Sequence, residues 1–276
     1  MDAFPQLIDL FPVLDSKLIR LLESLTVEEW QCRTVARSWS VKDVAAHLLD
    51  GNIRGLSISR DGHALAPAED ITSYAGLVAL INRKNMEWTD AAQRISPKLL
   101  VELLAFTGRS YHAHLQSLDP YAEAVFPVAW AGHQTSPNWF HIAREYTEKF
   151  LHQQQIRDAV NQPGILTRQL YYPFLDTLMH ALPYTFREVE AKEGTTVTVA
   201  VTSEAGGEWT ITKSAEVWQL GTAPVACPTA KVTLDPDTAW KLFSKSWSPI
   251  QALQFARLSG EHHLAFQALH MVAVMA

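Results

Sequence analysis

The chain has 276 residues, 47% of them hydrophobic, and a formal net charge of -6. That is enough apolar material for one large domain or two ordinary ones. The acidic balance, with no long basic run, excludes nucleic acid as a partner, because phosphate binding needs clustered cations.

The N-terminal stretch MDAFPQLIDLF carries Asp2 and Asp9 and no early Lys or Arg, so no secretory signal is expected. Leu7, Leu10, Phe11, Leu14, Leu18, Leu21, Leu22 and Leu25 recur at spacings of three and four, the stripe of a long helix. Ser40 then precedes VKDVAAHLL with Asp43 three residues on, a capping box with Asp in the place of Glu. A third helix is predicted over 71–95. Ser96-Pro97 opens a fourth, and Asp119-Pro120 stops it. A loop rich in Ala, Gly, His and Pro runs to Pro137. The next helix begins near Asn138 and ends at NQPG, residues 161–164, and a last helical segment, LYYPFLDTLMHAL, leads to Pro183.

The period then changes. TTVTVAV, residues 195–201, alternates as a strand does. EAGGEW is a turn signal before a short strand over Trp209–Thr212, and Val217–Leu220 and Lys231–Leu234 read as further strands. Asp235-Pro236 starts a helix, and the final run HHLAFQALHMVAVMA reads as a mostly buried helix. The expected organisation is therefore mainly α: a helical domain over residues 1–188, a polar connection VEAKEGTT, and a small α+β domain over 195–276. No apolar run is long enough to span a bilayer. Two cysteines, Cys32 and Cys227, make no disulfide framework and suit a reducing, cytoplasmic setting.

The chemistry-bearing stretch is REYTEKFLHQQQIRDAV, residues 144–160. Glu148 and His152 lie one helical turn apart and face one object, and both residue types ligate divalent metals. His141 and Glu145 share their stripe, which continues into Ile156 and Ala159. Trp139, Ala143, Tyr146 and Phe150 line the opposite side. A helix apolar almost all round is mostly buried, and a buried Glu–His pair needs a metal, an Arg or a hydrogen-bond network. A solvated face is the bland alternative. His47, at the edge of the Val41, Val44, Leu48 stripe, is the candidate third ligand. His112 with His114, and His262 with His263, diverge on their elements and read as flank or surface residues. No Cys-x-x-Cys or other activating motif accompanies Cys32 or Cys227, and both read as ordinary thiols. The chain also lacks a P-loop, a strand-borne GxGxxG and a GxSxG.

SWSVKDVAAHLLDG, residues 38–51, resembles the second-helix signature of the maleylpyruvate isomerase N-terminal family, one of the DinB-like thiol-transferase bundles. The helix from Arg144 is similar to the second metal-bearing stretch of that family. ALINRKNMEW, residues 79–88, is similar to its intervening helix, with Asn82 at the family's Asn. AGGEW and VTLDPDTAWKLF resemble the sterol-carrier-like domain that follows this bundle. The resemblance implies a DinB-like four-helix bundle followed by a small α+β domain. It further implies a divalent metal, zinc or alternatively nickel, on His47, Glu148 and His152, with one position open. It implies a low-molecular-weight thiol of mycothiol or bacillithiol type as cosubstrate, and S-transfer to a small electrophile or cis–trans isomerisation as the reaction. A homodimer is compatible with it. Gln155 stands where studied members carry Asp, in a position to orient a ligand. Trp39 and Trp139 are placed to wall the site, and Arg83 and Arg109 are candidates for gripping a carboxylate. The rival readings are a non-enzymatic small-molecule or lipid-binding protein and a metallohydrolase with a metal-bound water.

Overall fold

The computed structural model describes residues 7–36, 38–63, 73–221 and 225–273. The described residues form two compact units, one of residues up to 126 together with 137–163, the other of 127–136 with 164–273.

The first unit is a helical bundle. Helix α1, Leu10–Ser24, buries Phe11, Leu14, Leu18, Leu21 and Leu22, the stripe read from the sequence. Helix α2, Val41–Arg54, starts at the expected capping box. Asp43 N–H donates to Ser40 Oγ at 3.3 Å, and Ser40 N–H donates to Asp43 Oδ2 at 2.9 Å. Two of the helix's orphan donors are thus satisfied by each other's side chains. The helix runs on into a π-helical turn, Gly55–Arg60. Helix α3, Tyr74–Ala92, is shorter than predicted: Ser73 caps it, residues 71 and 72 lie outside the described residues, and it stops at Ala92. Helix α4, Pro97–Ser117, begins on the Ser96 cap with Pro in its first turn. Helix α5 covers Asn138–Ala159.

Helix α2 packs against α3, α4 and α5, and α1 against α4 and α5. Leu18, Leu22, Val44, Leu100, Leu104 and Ile156 sit in one hydrophobic cluster. Polar pins set the helices relative to one another. Trp88 Nε1 donates to Ala46 O at 2.8 Å, and Lys149 Nζ lies 2.9 Å from Asp15 Oδ1. Both charged partners of that pair are largely withdrawn from water, where neither would be tolerated alone.

The second unit holds a five-stranded sheet of order β3-β2-β1-β4-β5. Its strands are β1 Thr196–Val201, β2 Gly207–Ser214, β3 Val217–Leu220, β4 Ala230–Leu234 and β5 Arg257–Gly260. Strand β1 pairs antiparallel with β2 and parallel with β4. Helices α6 (Arg168–Leu178) and α7 (Leu182–Thr185) precede the sheet. Helices α8 (Pro236–Phe243), α9 (Pro249–Leu253) and α10 (His262–Ala268) complete the unit, α8 on the predicted Asp235 cap.

A helical bundle followed by a small α+β part is the expected fold class. The placement of α6 and α7 was not foreseen: the sequence reading puts them with the bundle, up to 188, whereas their contacts group them with the sheet. Trp209 Nε1 donates to Asp176 Oδ1 at 2.8 Å, and Tyr171 OH donates to Pro236 O at 2.8 Å. The last predicted helix is also corrected. It ends at Ala268, and the chain leaves it so that Ala273 N–H can donate to Phe243 O at 3.1 Å. Residues 274–276 of that predicted helix lie outside the described residues.

Candidate metal centre

His47 comes from the middle of α2, and Glu148 and His152 from α5. His47 precedes Glu148 by 101 residues in sequence, and the packing of α2 on α5 brings the three together. One ligand atom from each lies within 4.8 Å of the others. Among the described residues, these three form a group of metal-ligating side chains so placed.

The hydrogen-bond pattern shows why they suit a cation. His152 Nδ1 lies 2.9 Å from Gln155 Oε1. A carbonyl oxygen only accepts, so Nδ1 carries the proton. In the neutral ring Nε2 is then a bare lone pair, and it faces Glu148 Oε2 at 3.3 Å. Two acceptors at that distance repel unless a proton or a metal ion joins them. The ring of His47 stands 4.6 Å from that of His152, nearly perpendicular to it, and the buried Nδ1 of His47 has no hydrogen-bond partner among the described residues. Burial first, then the charges of His152 and Arg54, holds His47 well below its ordinary value, so the ring is neutral at physiological pH. The lone pairs of two imidazoles and a carboxylate are a donor set that zinc and related ions accept.

Trp39 closes one side, its ring 4.9 Å from His47 and 6.3 Å from His152. Glu148 is more accessible than His152, with 37% of its side chain exposed against 11%. The opening therefore lies on the Glu148 side.

The family model for the mycothiol maleylpyruvate isomerase N-terminal domain matches residues 12–157, more than half of the chain, and spans all three side chains. The chain belongs to that family. Two solved structures share the fold of this family member: the mycothiol-dependent maleylpyruvate isomerase and a histidine-to-alanine mutant of it. Each is 12% identical, with a TM-score of 0.55 over 93% of this chain and 92% of the other. A search of curated proteins gives no match.

Other residues singled out in the sequence fall elsewhere. His112 Nε2 bonds Ile8 O at 3.1 Å, and His114 Nε2 bonds Ser59 Oγ at 2.8 Å, so the two diverge as expected, though His114 is buried. His262 and His263 are exposed, as is Cys227. Trp139 stacks on Phe140 at 5.1 Å between ring centroids, more than two helical turns from Glu148. Arg109 is exposed, and Arg83 lies on the surface 3.9 Å from Glu87.

Arg54 and Arg144 stand on the two ligand-bearing helices, seven residues after His47 and four before Glu148. Arg54 pairs with Asp50 at 2.8 Å, and its charge is felt at His47, Glu145 and Tyr111. Arg144 Nη2 donates to Glu145 Oε1 at 2.6 Å. Burial works to raise the Glu145 carboxyl, but Arg144, His141 and the Tyr111 hydroxyl outweigh it and hold it below the usual carboxylate range. Tyr111 reaches Glu145 across Gly55, where a Cβ would stand 2.3 Å from the Tyr111 ring. A signal for both arginines was present in the sequence: Arg54 is two turns from His47 on α2, and Arg144 one turn from Glu148 on α5.

Proposed function

We propose that this family member is a metal-dependent enzyme that uses a low-molecular-weight thiol of mycothiol type on a small electrophile. The observation that carries the reading is the convergence of His47, Glu148 and His152, with Gln155 holding His152 in the tautomer that offers Nε2. These three residues would hold the ion, with zinc as first choice and nickel as alternative. When bound, such an ion favours the thiolate form of a thiol at neutral pH.

The chain's own groups do the rest. Gln155 fixes the imidazole plane of His152. Burial keeps His47 neutral and available as a lone-pair donor. Glu148 supplies the negative charge and lies at the open side, and Trp39 keeps water from the back of the site. The nucleophilic sulfur then has two courses. It displaces a leaving group from carbon, which is S-transfer. Or it adds to an activated double bond and is expelled after rotation about the resulting single bond, which is cis–trans isomerisation with no net change in composition. The structure of the isomerase with the same fold favours the second course for this chain. A cytoplasmic location goes with such a thiol, and the acidic chain leaves no role for nucleic acid. Among the described residues no helix is long and apolar enough to cross a membrane.

The test is elemental analysis of freshly purified protein and of protein incubated with Zn²⁺, Ni²⁺ and Mn²⁺, followed by thiol titration of the Co²⁺-loaded protein. About one ion per chain is expected, lost in His152→Ala and weakened in Glu148→Gln. A cognate thiol among mycothiol, bacillithiol, glutathione and cysteine should raise a sulfur-to-cobalt charge-transfer band near neutral pH, well below the ordinary thiol pKa of about 8.5. No retained metal overturns the site. Metal without any thiol response shifts the reading to a metallohydrolase, and a metal-free protein carrying a lipid shifts it to a binding module.

A further inference from the structure

One and two turns before Glu148 on α5, two buried donors have no acceptor among the described residues. Arg144 Nη2 lies 2.9 Å from His141 Nδ1 and 2.6 Å from Glu145 Oε1. A guanidinium cannot accept, so His141 Nδ1 is the acceptor and the ring proton sits on Nε2. That Nε2–H is buried with no partner among the described residues, and so is the Nε–H of Arg144. His141 is 1% exposed. Glu145 serves neither donor: it pairs with Arg144 Nη2 and the Tyr111 hydroxyl, and neither His141 Nε2 nor Arg144 Nε has a partner among the described residues. Both donors lie against one aromatic wall: the Phe126 ring is 5.8 Å from that of His141 and 5.9 Å from Arg144 Cζ. Buried N–H groups without an acceptor are rare in folded proteins and call for a bound one. At a rise of about 1.5 Å per residue, the two lie about 6 and about 10 Å along the helix from Glu148.

We propose that His141 and Arg144 form a subsite for an oxygen acceptor, a carboxylate or an amide carbonyl, on the same small molecule whose reactive end occupies the His47, Glu148, His152 cluster. This deepens the function proposed above and rests on it for the reactive end alone. The donors themselves are independent of metal and thiol. A neutral His141 beside a paired Arg144 and Glu145 recognises the oxygen through directed N–H groups in a nearly charge-balanced pocket, which suits a carbonyl as well as a carboxylate.

The subsite is tested first without metal. In the ¹⁵N-labelled full chain, sodium acetate is titrated against sodium chloride at matched ionic strength. The Arg144 Nε–H and His141 Nε2–H signals should move together on one saturating curve with acetate and not with chloride. His141→Phe should abolish the Arg144 response, and His141→Gln, which keeps an N–H donor, should retain it. No acetate response, or an Arg144 response unchanged in a folded His141→Phe, overturns the subsite and leaves a structural water only. If His141→Phe does not fold, the wild-type and His141→Gln titrations decide. The link to the metal end is tested on Co²⁺-loaded protein with 3-mercaptopropionate and 2-mercaptoethanol. The carboxylate-bearing thiol should bind about tenfold tighter, the worth of one charge-assisted hydrogen bond, and lose that advantage in His141→Phe. Equal binding of the two thiols overturns the link. If neither thiol changes the cobalt spectrum, the proposed function fails, while the acetate result still decides the subsite.

Discussion

Replacing Gln155 by Leu tests the feature that prepares the candidate centre. Gln155 is 4% exposed, and Leu has nearly its volume, so the packing of α5 should survive. What goes is the acceptor 2.9 Å from His152 Nδ1. The Nδ1–H is left buried and unpaired, which costs about 1–3 kcal/mol of folding stability. The ring also loses its orienting partner and can shift its proton to Nε2, the atom that faces Glu148. Loss of such an outer hydrogen bond typically weakens metal binding by about 10–100-fold. Gln155→Asp keeps an acceptor and adds charge, so it should hold the ion close to wild-type strength and change the reaction rate more than the metal content. The assay is competition for Zn²⁺ and Co²⁺ against a chromophoric chelator near neutral pH, with thermal unfolding in parallel. A Gln155→Leu protein that binds as tightly as wild type, while His152→Ala does not bind, would show that the Gln155 hydrogen bond has no part in preparing the site.

Burial, opposed by Glu145 and reinforced by Arg144, lowers His141 from its ordinary 6.5 to about 4. The unfolded chain therefore binds this proton at a higher pH than the folded one, and acidification from about 6.5 to about 4 favours unfolding by up to roughly 3 kcal/mol. Denaturant titrations of metal-free protein should show that part of the acid sensitivity missing in His141→Phe, and identical pH slopes would refute the burial argument. A chain ending at residue 188 should still bind the metal, because His47, Glu148 and His152 precede the cut. It should melt earlier, because Asp176 loses Trp209 and Tyr171 loses Pro236. Loss of metal by a fragment still helical by circular dichroism would mean that the later residues supply a ligand.

Much of the molecule is written in rules that act within a turn or two of chain. The Leu stripe from Leu7, the Ser40–Asp43 box, Pro97 after Ser96 and the Asp235 cap each name a helix, because caps and periodicity need only near neighbours. The one-turn spacing of Glu148 and His152 names a pair for the same reason, whereas the orienting role of Gln155 was implied by the family resemblance and not by spacing. Other features depend on which surfaces meet. Strand β5, RLSG, is short and mostly exposed and carries no alternation, so its pairing with β4 is what makes it a strand. Helices α6 and α7 look like more bundle by period, and only their packing contacts assign them to the second unit. The unpartnered donors of His141 and Arg144 arise because packing buries them while Glu145 is already engaged, a matter of long-range burial and not of spacing. The meeting of His47 with Glu148 and His152 likewise depends on α2 lying against α5. Residue type and period made His47 a candidate, and the helix packing put it within reach.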